Sequence, residues 1–197
     1  MDILLASKSP TRAKLLKNAG ILFQAVGHGV DEEEVKLSMS SQKPKDVAIK
    51  LSELKALKVS ASNPNMFVIG SDQVLDHKGK LFSKAPDKKT AEEQLKTLSG
   101  QEHTLITSTI VAKNNSVVWR HLNESKMKMR DLSDQVITKY ISEVEEETLN
   151  IVGAYAIEKE GIKLFESISG DVFSIQGLSM LPLVQFLSDN KILFKDE

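Results

Sequence analysis

A chain of 197 residues with 41% hydrophobic and 27% charged side chains is long enough to bury a substantial core, as one domain or as two lobes around a groove. A formal net charge of -1 leaves no global electrostatic footprint for nucleic acid or an anionic membrane, so an anion would have to be met by cations gathered locally. With no cysteine, disulfides and thiolate metal sites are excluded, and any metal would need oxygen or imidazole ligands.

The chain opens in a strand at residues 3–6, without a signal-peptide pattern, and no apolar run nears the roughly 20 residues that span a bilayer. A cytoplasmic protein with neither a membrane nor a nucleic-acid partner is expected. Ser7-Lys8-Ser9-Pro10 follows, then a helix over residues 11–19 closed by Gly20, with Ser9 as N-cap and Pro10 at the first helical position. A strand, a hydroxyl-rich loop and a helix N-terminus can together receive an anion, with Arg12 reaching back over it; the alternative is a capped helix with a surface arginine. A second strand is expected at residues 22–26. The run Asp31-Glu32-Glu33-Glu34 is read as a solvated stretch or helix start, or as oxygen ligands for a divalent metal. From Pro44 a helix reaches about residue 60, with Val47, Ala48, Leu51 and Leu54 on its apolar stripe. Lys55 sits at the edge of that stripe, either snorkelling to water or pointing into a cleft.

Residues 68–75 read as a buried strand opened in its middle by Gly70-Ser71-Asp72-Gln73. An ionised carboxylate there costs several kcal/mol or more unless it is paired, hydrogen-bonded or metal-bound. Asp72 is therefore either a turn residue satisfied by backbone amides or a group with a partner elsewhere in the chain. A hairpin turn follows at residues 76–80, a return strand at 81–84, a helix from Ala85-Pro86-Asp87 to Leu98, and strands at 103–112 and 116–129. An amphipathic helix over 134–144, an acidic end at 145–147, short strands at 153–158 and 162–168, and a closing helix over 177–187 complete the pattern. Interleaved strands and helices with some hairpins predict a mixed α/β fold, one domain over residues 1–197, as two lobes on a shared sheet. His103 opens a strand and reads as structural rather than catalytic, and His28, His77 and His121 show no ligand spacing. No Gly-Lys-Ser/Thr follows a glycine-rich loop, which excludes a P-loop NTPase.

The order of Ala6-Ser7-Lys8-Ser9-Pro10-Thr11-Arg12, Val30-Asp31-Glu32, Lys55-Ala56, Gly70-Ser71-Asp72-Gln73, Lys84-Ala85-Pro86, Ser99-Gly100 with His103 and Thr107, Gly153-Ala154-Tyr155, and Gly177-Leu178 with Pro182 resembles the Maf family of nucleoside triphosphate pyrophosphatases. The resemblance covers nearly the whole chain. It implies an elongated, two-lobed mixed sheet with flanking helices and a deep central cleft, of the Maf/ITPase-like kind, and it admits a homodimer. It also implies cleavage of a nucleoside triphosphate substrate to the monophosphate and pyrophosphate, assisted by a divalent metal cation, Mg²⁺ or Mn²⁺. Carried over residue by residue, it makes Asp72 the proton acceptor and, with Glu32, a metal ligand. It places Ser7, Ser9, Arg12, Lys55 and Lys84 on the phosphates, and Thr11, Gln73 and Glu158 at the base. Ser71-Asp72-Gln73 resembles the subgroup associated with 7-methyl-GTP, and a carboxylate at Glu158 suits guanine N1–H and N2–H₂. Thr11 departs from that subgroup, which often has an aromatic there. Two other readings remain open on sequence: a nucleotide-binding regulator of cell division without hydrolytic activity, and a phosphatase releasing orthophosphate.

Overall fold

The structure, a computed structural model, describes residues 2–193. Its first strand, β1 (Ile3–Ala6), is buried throughout and runs parallel to both β2 (Gln24–Val26) and β3 (Phe67–His77), with Leu5 opposite Ala25 on one side and Ile69 on the other. β4 (Lys80–Phe82) folds back antiparallel on β3. A turn at Asn114 and Asn115, both at positive φ, joins β5 (Glu102–Lys113) to β6 (Ser116–Met129), as a two-residue hairpin turn requires. β7 (Phe165–Ser169) lies antiparallel to β6, and the sheet order is β2-β1-β3-β5-β6-β7 with β4 on β3. The helices are α1 (Pro10–Asn18), α2 (Glu32–Ser38), α3 (Pro44–Ser62), α4 (Lys88–Leu98), α5 (Asp134–Glu143), α6 (Glu146–Leu149), α7 (Val172–Ile175) and α8 (Met180–Asp189). The expected mixed α/β class is found, as a seven-stranded mixed sheet with helices flanking it. Among the described residues no helix is long and apolar enough to cross a membrane.

The chain divides into two units, one of residues 1–73, 107–123 and 171–197, the other of residues 74–106 and 124–170. In the first, alternation along β1 decides the layers. Ile3 and Leu5 join Leu15, Leu16, Leu183 and Leu187 from α1 and α8, whereas Leu4 and Ala6 pack with Val59 of α3 and Val68. Parallel strands sandwiched in this way must be apolar on both faces, which is why β1 reads as a continuous hydrophobic run. In the second unit α4 packs on α5, burying Leu95 and Leu98 from one and Ile137 and Ile141 from the other.

Several sequence expectations shift. The second strand begins at Gln24, because Ile21 turns into the core and Leu22 stands 75% exposed. Residues 153–158 form turns rather than a strand, since Gly153 and Ala154 both take positive φ, which a strand does not accept. The stretch read as a strand over 162–168 is a 3-10 helix (Glu160–Leu164) followed by β7. α8 starts only at Met180, after α7 and a turn at Gly177, and the acidic run at 145–147 starts α6.

Candidate active site

Glycine at position 70 is what lets α3 and β3 approach. A Cβ there would lie 2.5 Å from the carbonyl oxygen of Ser52 and 2.7 Å from the amide nitrogen of Ala56, inside any allowed contact. The buried stripe of α3 consists of Val47, Ala48, Leu51, Ser52, Lys55, Ala56, Val59 and Ser60, so Lys55 lies within it rather than at its edge, and Leu54 lies off it. Only 3% of Lys55 is exposed, which rules out snorkelling. Its Nζ donates to Asp72 Oδ1 at 2.6 Å and stands 2.7 Å from Glu32 Oε1. The partner that an ionised Asp72 demanded is thus a lysine, bridging two carboxylates.

Glu32 is delivered by α2. Asp31 caps that helix, accepting the Glu34 N–H at 3.0 Å, and the acidic run lies in the first turn, where the helix dipole favours negative charge. His28 stands beside it: Nδ1 accepts the Val30 N–H at 3.1 Å, leaving Nε2 3.6 Å from Glu32 Oε1. Burial, then the charge of Lys55, holds this imidazole below its ordinary range. Histidine four residues before Glu32 was a usable signal, but without the helix boundary it had no stated partner.

α1 delivers Arg12. Ser9 caps the helix by accepting the Arg12 N–H at 3.3 Å, and Ser7 Oγ accepts from the Ser9 amide at 3.1 Å and from Arg12 Nη1 at 3.4 Å. Arg12 Nε donates to the carbonyl of Gly177 at 2.7 Å. Burial lowers the affinity of this guanidinium for its proton and the charges of Asp72 and Glu32 oppose the shift, so it stays a cation. Burial is also the largest influence on Asp72 and raises its pKa; Lys55 and Arg12 act against that and Glu32 with it. A carboxylate raised in this way is a better proton acceptor near neutral pH than an exposed one.

The structure therefore brings together Ser7, Ser9, Arg12, Glu32, Lys55 and Asp72, all in the first unit. Thr11 follows the cap on α1 and is half-buried. Gln73 continues β3, and its Nε2 lies 2.9 Å from Thr107 Oγ1 and from the carbonyls of Ser174 and Ile175, so the amide nitrogen is spent on the protein. Ser71, Thr107, Ser174 and Gly177 were not identified as site residues by the sequence; a backbone carbonyl carries no mark in it. Lys84 and Glu158 belong to the second unit, each exposed, before α4 and in a turn respectively.

Among the described residues no three or more His, Asp or Glu side chains gather as a ready metal cage. What the cluster offers is two carboxylates against two cations, formally neutral. That donor set fits a hard cation that takes one or two carboxylates and completes its shell with water and phosphate oxygens, and does not fit a metal held by protein alone. It also fits the charge to be met, since a triphosphate brings about four negative charges that a neutral cluster cannot offset by itself.

The model of the Maf-like protein family matches residues 2–190. A nucleoside triphosphate pyrophosphatase of Ruegeria pomeroyi is 40% identical over 95% of this chain and 96% of its own. Two proteins named 7-methyl-GTP pyrophosphatase, from Brucella abortus and Rhizobium meliloti, are each 43% identical, over 98% and 95% of this chain and equal shares of theirs. With the family model running nearly end to end and relatives this similar at full length, the chain belongs to the Maf-like protein family.

Proposed function

We propose that this chain hydrolyses nucleoside triphosphates to the nucleoside monophosphate and pyrophosphate, with a 7-methylguanine-type base preferred. The observation that carries the reading is the bridge Glu32–Lys55–Asp72 beside Arg12, with Lys55 and Asp72 buried, supported by the activities named for the relatives. Water attacks the α phosphorus, the bond from that phosphorus to the α–β bridging oxygen breaks, and pyrophosphate leaves with the bonding electrons. Asp72 takes the proton the water gives up, a task its raised pKa suits. Arg12, with Ser7 and Ser9 around it, grips the phosphates through charge-assisted hydrogen bonds, and Lys55 adds a second cation. Asp72 and Glu32 would hold Mg²⁺ or Mn²⁺, which supplies positive charge against the leaving group and acidifies the attacking water. A binder without hydrolytic activity would have no use for a buried carboxylate poised as a base, which favours the enzyme over the regulator. The relatives named for 7-methyl-GTP support the base preference, as does the likeness of Ser71-Asp72-Gln73 to that subgroup.

The test is kcat/KM for 7-methyl-GTP, GTP, dTTP and UTP, with pyrophosphate and orthophosphate both quantified. Pyrophosphate alone, with the order 7-methyl-GTP, then GTP, then the pyrimidines, is expected. Orthophosphate as the product overturns the reaction, and UTP or dTTP as best substrate overturns the base. Activity should vanish with a chelator and return with Mg²⁺ or Mn²⁺; full turnover after exhaustive metal removal contradicts the metal role.

A further inference from the structure

We infer that Gly177 is a positioning residue for Arg12, its carbonyl held in place by a clamp that β3 and β5 close on residues 174–177, and that Gln73 acts on the substrate through this clamp. The inference rests on the reading of Arg12 as a phosphate grip.

Gly177, just past α7, sits at φ +98, a conformation that side chains rarely adopt. Two side chains converge on that one oxygen: Ser71 Oγ at 2.8 Å, which also reaches the Ser108 carbonyl at 2.9 Å, and Arg12 Nε at 2.7 Å. The guanidinium is thereby fixed at its Nε, and the plane of its remaining donors is set by a backbone atom rather than by a carboxylate that would neutralise it. The turn itself is tied down two residues earlier. Gln73 Nε2 donates toward the carbonyls of Ser174 and Ile175 and to Thr107 Oγ1, and Thr107 Oγ1 donates in turn to the Ser174 carbonyl at 2.8 Å. Asp171 caps α7 from the other end, accepting the Ser174 N–H at 2.8 Å. Ser71 and Gln73, two residues apart on β3 and flanking Asp72, thus both end on the segment that aims Arg12. A change at position 73 moves the phosphate grip before it touches any base.

The position is also closed to substitution in a way that can be read. A Cβ on Gly177 would lie 3.2 Å from Arg12 Nε and 3.4 Å from Nη2, so Gly177→Ala presses on the very group the carbonyl holds. A mixed effect on folding is handled by a second variant, Gln73→Met, which removes the donors that Gln73 gives the clamp at similar volume and leaves Gly177 alone.

The experiment is a double-mutant cycle read by binding of inorganic tripolyphosphate, followed by calorimetry, so that it stands whether or not any nucleotide is turned over. Arg12→Ala should weaken binding about tenfold or more. Gly177→Ala and Gln73→Met should each weaken it several-fold in the wild-type background and have no further effect in the Arg12→Ala background. Equal losses in both backgrounds, or wild-type affinity for Gly177→Ala, overturn the positioning role. Wild-type protein that does not bind tripolyphosphate, or an Arg12→Ala variant that binds as wild type, removes the grip and the inference with it. A protein that completes the cycle as expected yet releases no pyrophosphate from any nucleotide would instead sink the proposed activity and leave the positioning role standing.

Discussion

The two units bury polar groups in opposite electrical states. In the first, buried Lys55 and Asp72 form an ion pair, Lys55 Nζ also meets the partly exposed Glu32, and Arg12 stands close enough to feel both carboxylates. In the second, His103 Nε2 meets Tyr155 Oη at 2.6 Å among aromatic rings, and Tyr140 donates to the Ala154 carbonyl at 3.2 Å. Burial drives His103 down to about 4 and Tyr155 well above its usual range, so this second network stays neutral at ordinary pH. The contrast separates two uses of buried polarity. The neutral network has no charge to exchange with an anion, and it leaves His103 Nδ1 buried without a partner, whereas in the ionic bridge Lys55 Nζ answers two carboxylates at once.

Breaking the ionic side should cost most. Lys55→Met leaves two carboxylates facing each other without their cation, and the loss of one partner of a buried pair predicts a destabilisation of about 3–5 kcal/mol in denaturant unfolding. Replacing the bridge as a whole, with Lys55→Met, Asp72→Leu and Glu32→Gln together, should recover much of that stability while abolishing turnover. A stable single variant would show that the bridge does not carry the charge balance described here.

The neutral side is broken by acid. Unfolded His103 takes a proton near 6.5 and folded His103 only near 4, so between those values the unfolded chain binds more protons. Its contribution is fully present above pH 6.5 and is lost as pH falls toward 4, by about 3 kcal/mol in all. His103→Gln should flatten that part of the stability curve and leave kcat per folded molecule unchanged; a large fall in kcat would move His103 into the chemistry.

The smallest effect is expected at Glu158. Glu158 is exposed, so under the proposal that it meets a guanine-type ring the discrimination should fall at the low end, about tenfold. Glu158→Gln is expected to lower kcat/KM for 7-methyl-GTP by that factor relative to UTP. Equal losses on both substrates would take Glu158 out of base recognition.

The ionic cluster was largely legible in the sequence because a carboxylate in an apolar strand and a lysine near an apolar helix stripe each pose a charge that must be answered. Their pairing was not, since it depends on the close approach that Gly70 permits. The turn at 153–158 escaped because Ala154-Tyr155-Ala156-Ile157 has a strand-like composition, and only the positive φ at Gly153 and Ala154 decides otherwise. The clamp on residues 174–177 escaped for a different reason: its acceptors are main-chain carbonyls, which every residue has.

The claim that the buried carboxylate of the ionic cluster performs the chemistry is tested most directly by pyrophosphate release from 7-methyl-GTP by wild-type protein and by Asp72→Asn, from pH 5 to 9. The wild type should lose kcat on the acid side through a pKa above the ordinary aspartate value of 3.8, because burial raises it. Asp72→Asn should remain folded, bind substrate, and turn over more slowly by about two orders of magnitude or more without that acid limb. Near-normal pyrophosphate release by Asp72→Asn would contradict the account at its centre.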